Sequence, residues 1–275
     1  MSFLYDFNAL KKAAKNVNPA FPSYKLAIIG DCATQHIAKA VKGDAALRML
    51  NIDVFDSDYD QIQAQTMDES SELYRFAPDG VLIVMCTEKL YESFCGTPAE
   101  KRPKFADEVL GRICMYWELI SKRIKTNILQ FSFAYLNDGS MGSYALREAS
   151  SFTYQLTKLN YLLCQAAAEK KNVFPVDINA VQNRIGSERF RDDKLYYMAK
   201  MPFSLEALPY IAARTVDVIK ALRGSIKKCV ILDLDNTLWG GVIGDDGLDG
   251  IEIGELGTGH AFSDFQMYLK ELKKR

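Results

Sequence analysis

The chain is 275 residues long, with 48% hydrophobic and 25% charged residues, the profile of a folded globular protein and not of a disordered, collagen-like or low-complexity chain. Its 34 Lys and Arg against 35 Asp and Glu leave a net charge of -1, so no basic surplus exists to draw nucleic acid or an anionic membrane. At about 100–200 residues per domain, the length allows one large domain or two smaller ones.

The opening residues MSFLYDFNALKKAAKNV have no unbroken apolar stretch behind a basic start and do not read as an export signal. They predict a short amphipathic helix within residues 1–20, ended by Pro19 and Pro22. Nowhere do about 20 apolar residues run together, as a membrane-crossing helix requires. The six cysteines (Cys32, Cys86, Cys95, Cys114, Cys164, Cys229) include no Cys-x-x-Cys pair. They predict reduced thiols in a cytoplasmic protein.

Apolar runs at 25–29, 52–55, 81–86, 127–133 and 173–176 predict strands, and helical stretches separate them. In 106–124, Val109, Ile113, Tyr116, Trp117 and Ile120 form one stripe; in 152–171, Leu156, Leu159, Leu163 and Ala167 do the same. Strands of Ile, Val and Leu alternating with helices predict a doubly wound α/β domain, its parallel sheet covered on both faces. A polar connection, 179–193, leads to a last helix at 205–222, and Gly224 is its stop signal. The expected boundary lies near Gly224–Ser225, giving domains 1–224 and 225–275.

The first strand ends in Gly30-Asp31-Cys32-Ala33-Thr34. This turn resembles the first block of the SGNH hydrolases, flavodoxin-like esterases whose serine stands where Cys32 is. The resemblance implies that fold for 1–224 and makes Cys32 a candidate nucleophile. A thiol at a helix N-terminus has a lowered pKa. The late Asp-x-x-His of that family is missing, because 191–204 holds no histidine. His36, one helical turn after Cys32, could approach the thiol, and Asn137-Asp138 reads as a turn. Hydrolysis is then expected to be lost and the domain to bind, position or dock something.

A further strand, expected at 229–234, ends in Asp233-Leu234-Asp235-Asn236-Thr237. Two carboxylates at the carboxyl end of a strand lie where open α/β sheets bind ligands. Like charges side by side need a cation or a shared proton. Mg²⁺ is the natural ion, since it takes one or two carboxylates plus water and phosphate. The run DLDNTLWGGVIGDDG, then IEIG and AFSDFQMYLKELKKR, resembles the haloacid dehalogenase (HAD) superfamily of phosphatases, subfamily IIIC, FkbH-like. The resemblance implies Asp233 as nucleophile and metal ligand. Asp235 would be general acid/base and hold Mg²⁺ through its backbone carbonyl. Asn236, Thr237 and Trp239 would support the loop or the substrate. A flap hairpin is expected over 239–247, with Asp245 and Asp246 as turn residues and His260 as a surface or capping residue. A closing helix carries Phe262, Phe265, Leu269 and Leu272 as its stripe.

The superfamily's later Ser/Thr, Lys and acidic pair cannot be placed before Arg275. Residues 225–275 therefore read as the incomplete start of a Rossmann-like HAD domain, expected to bind metal poorly and turn over slowly or not at all. Three functions stay open. The first is a Mg²⁺-dependent phosphatase or phosphotransferase working through an aspartyl-phosphate on a phosphorylated small molecule. Its FkbH-like form implies glyceryl or acyl transfer onto an acyl carrier protein. The second is a thiol-dependent acyl esterase or acyltransferase at Cys32. The third is a non-enzymatic docking module.

Overall fold

The five strands of the first unit are apolar runs that pair in parallel: β1 (Ser23–Gly30), β2 (Asn51–Asp56), β3 (Gly80–Val84), β4 (Asn127–Phe131) and β5 (Val173–Val176). Their order is β2-β1-β3-β4-β5, with register partners Ile28↔Asp56 and Gly30↔Val84 at the strand ends. The computed structural model describes residues 5–136 and 138–274. It divides into two compact units, Met1–Gly224 and Ser225–Arg275. Asn137, half of the turn expected at Asn137-Asp138, lies outside the described residues.

The first unit's helices, in chain order, are α1 (Phe7–Lys15), α2 (Gln35–Leu47), α3 (Ile62–Met67), α4 (Glu72–Phe76), α5 (Thr87–Cys95) and α6 (Phe105–Arg123). Then follow α7 (Phe152–Ala168), α8 (Ile178–Ile185), α9 (Ser187–Phe190), α10 (Asp193–Ala199) and α11 (Leu208–Leu222). Period-2 alternation decides which face each strand residue serves. Leu26 and Ile28 of β1 pack with α1, α2, α8 and α11. Ala27 and Ile29 pack with α3, α6 and α7 on the other face. The doubly wound α/β architecture read from the sequence is the observed one.

Several boundaries differ for local reasons. β3 ends at Val84, two residues earlier than expected, because Cys86 leaves the ladder to become the N-cap of α5. β4 likewise ends at Phe131. α11 starts at Leu208 because Pro209 sits in its first turn, where a missing N–H costs nothing. Residues 179–193 are helical over most of their length, in α8 and α9, since Ile178, Val181 and Ile185 form a buried stripe among the polar residues. α1 is shorter than 1–20; the Asp6 carboxylate caps it by accepting from the Ala9 N–H.

In the second unit the strand expected at 229–234 does not form. A strand needs a neighbour to take its N–H and C=O groups, and among the described residues this segment has none. Ile231 stands 93% exposed. The expected hairpin is replaced by an antiparallel bridge, Gly240↔Glu252, closed by α12 (Ile243–Gly250), which breaks at Gly247. α13 (Gly257–Lys273) follows, with Phe262, Phe265 and Leu269 half-buried and Leu272 exposed. No helix among the described residues is long and apolar enough to cross a membrane.

Docking of α1 on α2 depends on Gly43. A Cβ there would lie 2.1 Å from the Leu10 carbonyl oxygen and 2.8 Å from its Cα, all backbone that cannot rotate away. Gly43→Ala should destabilise the first unit by about 1–3 kcal/mol in urea unfolding; an unchanged midpoint would show that α1 is not seated this way.

Candidate functional site

The residues singled out by the sequence lie at two places, the tip of β1 in the first unit and a loop in the second. In the second unit, 233–241 folds back on itself. The Leu234 carbonyl accepts from Thr237 N (3.2 Å) and Leu238 N (2.8 Å). Asn236, at a left-handed φ of 51°, grips Gly241 twice. Its N–H donates to the Gly241 carbonyl at 3.2 Å, and its Oδ1 accepts from the Gly241 N–H at 2.9 Å. Asn is one of the few residues that tolerate this backbone region. Gly241 itself stands at φ 90°.

Within this ring the two aspartates differ. Asp235 Oδ1 accepts from the Trp239 indole N–H at 3.0 Å and from Ile243 N at 3.2 Å, so its carboxylate is oriented by two donors. Trp239 is thereby fastened to the acid and is half-buried. Asp233 is exposed and, among the described residues, accepts only from the adjacent Leu234 N–H (2.8 Å). Neither carboxylate is ion-paired to Lys or Arg among the described residues. Such uncompensated, hard oxygen donors fit Mg²⁺. No third acidic side chain joins them: among the described residues the set of three or more close metal-ligating groups is Asp31, Cys32 and Cys86. Asp246 is occupied in accepting from Val242 N (2.8 Å). His260 lies on the surface of α13, facing Asp264 at 3.2 Å, and does not cap the helix.

In the first unit, β1 and β3 are neighbours whose connections leave in opposite directions, which makes their carboxyl ends the topological switch point. Asp31 N donates to the Val84 carbonyl (3.1 Å), and Asp31 Oδ1 accepts from Cys86 N (2.8 Å). Burial, the largest influence, raises the Asp31 pKa to about 7, against the lowering effects of the Cys86 N–H and Lys89. Cys32 is 1% exposed. Its thiol is pushed well up by its hydrogen bond to Cys86 and by burial. A buried thiol with a raised pKa is a poor nucleophile, so Cys32 is placed as a packing residue. His36 does not serve it; the ring stacks on Phe7 at 5.3 Å.

Residues 191–200 close the tip. Arg191 pairs with Glu88 at 2.6 Å, the Tyr196 hydroxyl bonds Glu92 at 3.1 Å, and Ala33 N donates to the Lys200 carbonyl at 2.9 Å. Beside Asp31 opens a cavity of 320 Å³ lined by Asp60, Met85, Lys89, Arg112 and Tyr116 among others. Sequence reasoning missed this site. Only the Gly30-Asp31 turn pointed to it, because the other lining residues come from distant segments of the chain.

The family model of the FkbH N-terminal domain matches residues 25–220. Among solved structures, the chain is similar to the N-terminal part of a Bacteroides fragilis protein containing a phosphatase domain, complexed with Mg. Identity is 40% and the TM-score 0.91, over 99% of this chain and 72% of that one. A variant of Axe2, an acetyl xylan esterase from Geobacillus stearothermophilus, is similar in fold alone, at 15% identity and TM-score 0.52 over 72% of this chain and 96% of that one. No curated protein matches.

Two outcomes follow from this geometry. Folded Asp31 keeps its proton up to about pH 7, whereas an unfolded Asp loses it near about pH 3.9. The folded state therefore binds more protons in that window, and stability falls as pH rises through it. Asp31→Asn, which keeps an acceptor for Cys86 N, should flatten that slope in urea unfolding between about pH 4 and 7; an unchanged slope would refute the assignment. Iodoacetamide should label the exposed Cys95, Cys164 and Cys229 well before Cys32 and Cys86, as read by peptide mass spectrometry. Equal rates would reopen Cys32 as a nucleophile.

Proposed function

The chain belongs to the FkbH family, and from that premise we propose that the loop Asp233–Thr237 is the phosphoryl-transfer site of a HAD-type phosphatase or phosphotransferase. The carrying observation is the asymmetry of the two aspartates. A nucleophile must reach the substrate, and Asp233 is exposed with one carboxylate oxygen free of partners among the described residues. An acid/base must be held in one orientation, and Asp235 is fixed by Trp239 and Ile243.

In this reading an Asp233 oxygen attacks phosphorus, the bond to the leaving oxygen breaks, and Asp235 donates a proton to that oxygen. Asp235 then takes a proton from water as the water attacks the aspartyl-phosphate, releasing phosphate and restoring Asp233. Asn236 and Thr237 keep the loop closed through their backbone bonds to Gly241 and Leu234. Trp239 keeps Asp235 in place. The Asp233 carboxylate and the Asp235 backbone carbonyl would hold Mg²⁺, which when bound neutralises charge on the phosphoryl oxygens. The Mg-complexed relative supports that choice of ion.

The substrate class is a phosphorylated small molecule, and glyceryl or acyl transfer to an acyl carrier protein is the finer form of the same proposal. The alternative of thiol chemistry at Cys32 has the burial of that residue against it.

The test is hydrolysis of p-nitrophenyl phosphate by a C-terminally extended form, with Mg²⁺ or EDTA. Asp233→Asn should reduce turnover to background, and Asp235→Asn should lower it about 10²–10⁴-fold. Turnover that survives EDTA or Asp233→Asn would refute the assignment.

A further inference from the structure

The cavity at the tips of β1 and β3 is not needed for phosphoryl transfer and lies wholly within the first unit. Its volume of 320 Å³ is at the low end of the about 300–1,000 Å³ typical of ligand sites. It sits at the switch point of the sheet, where doubly wound folds place their ligands.

Its lining is unusual in what it leaves unanswered. Tyr116 lines the cavity, and its hydroxyl has no hydrogen-bond partner among the described residues. That hydroxyl is accessible and so can exchange a hydrogen bond with a guest; the fully buried unpartnered hydroxyl among the described residues is that of Tyr24, outside this cavity. Arg112, exposed on the next turn of the same helix, has no ion-pair partner among the described residues. Lys89 reaches in from α5, shared with Asp60 at 2.5 Å. Asp31 closes the inner end, with Oδ1 taken by the Cys86 N–H. Ser93 adds a second hydroxyl, and Met85 supplies apolar wall.

The arrangement has two ends. Arg112 and Lys89 present cationic donors of the kind that hold a carboxylate or phosphate. Asp31 and Tyr116 present groups that exchange hydrogen bonds with hydroxyls. We propose that this cavity binds a small hydroxylated anion, of the size of a sugar acid or sugar phosphate, with its anionic end at Arg112 and Lys89 and its hydroxyls at Asp31 and Tyr116. The site is one of binding, without a covalent step, since the neighbouring thiol is buried and no histidine lines the cavity.

Isothermal titration of the 275-residue chain with D-gluconate, glucose 6-phosphate, inorganic phosphate and neutral sorbitol tests this. At least one hydroxylated anion should bind with a Kd below about 10 mM. Sorbitol should bind at least tenfold more weakly. Gluconate against glucose 6-phosphate tells which anionic group the site takes. Arg112→Ala, a surface change that leaves the core intact, should weaken the anion about tenfold or more. Tyr116→Phe should weaken the hydroxylated anion but leave inorganic phosphate unchanged. The proposal is overturned if no hydroxylated anion binds in that range, if sorbitol binds as well, or if Arg112→Ala and Tyr116→Phe both bind like the parent.

Discussion

The bond from Cys86 N–H to Asp31 Oδ1, at 2.8 Å, is the stitch on which the first unit's functional end depends. The β1–β3 ladder stops at Gly30↔Val84, and beyond it the two chains must part toward helices on opposite faces. A parallel sheet leaves N–H and C=O groups open at this edge, and each needs a partner. Asp31 supplies two: its own N–H goes to Val84, and its carboxylate takes the N–H of Cys86. The strands are held together one residue further than the ladder reaches, and the cavity opens beside the carboxylate that does it.

Burial raises three carboxylates at this end of the sheet, Asp31, Asp56 and Glu88, and each is answered differently. Thr34 donates a hydroxyl to Asp56 at 2.5 Å, and Arg191 gives Glu88 a full counter-charge. Asp31 has a backbone N–H and a more distant ammonium, and its pKa rises to about 7. A strongly perturbed acid beside a cavity is a common mark of a functional site. Of the three, Asp31 is the one that faces the cavity.

The sheet was legible because its strands are short apolar runs of Ile, Val and Leu between polar turns, a pattern that only two-sided burial rewards. Residues 179–193 misled because α8 buries just Ile178, Val181, Gln182 and Ile185 among charged and amide groups, too few apolar residues to reveal the period. Cys32 stands at a motif position, yet it is buried. Whether a thiol is exposed depends on residues from α10 and the Lys200 turn, far along the chain, and no local pattern reports that. The cavity was illegible for the same reason, since Asp31, Lys89 and Arg112 meet only through the crossover connections.

The two units also differ in how far their sites depend on distant sequence. In the second unit Val230, Ile231 and Leu234 remain exposed, and no ladder holds the segment that leads to Asp233. Yet the acidic loop has a defined shape, because its bonds are local: Asn236 to Gly241, Asp235 to Trp239 and Ile243, and Leu234 to Leu238. Gln266 of α13 adds one more anchor by donating to the Leu238 carbonyl at 2.7 Å. A left-handed Asn followed by Gly at positive φ encodes such a ring within nine residues. Local encoding explains why the motif could be read from sequence while the strand before it could not. The loop's geometry is written in its own residues, whereas a strand exists only when another strand accepts its hydrogen bonds.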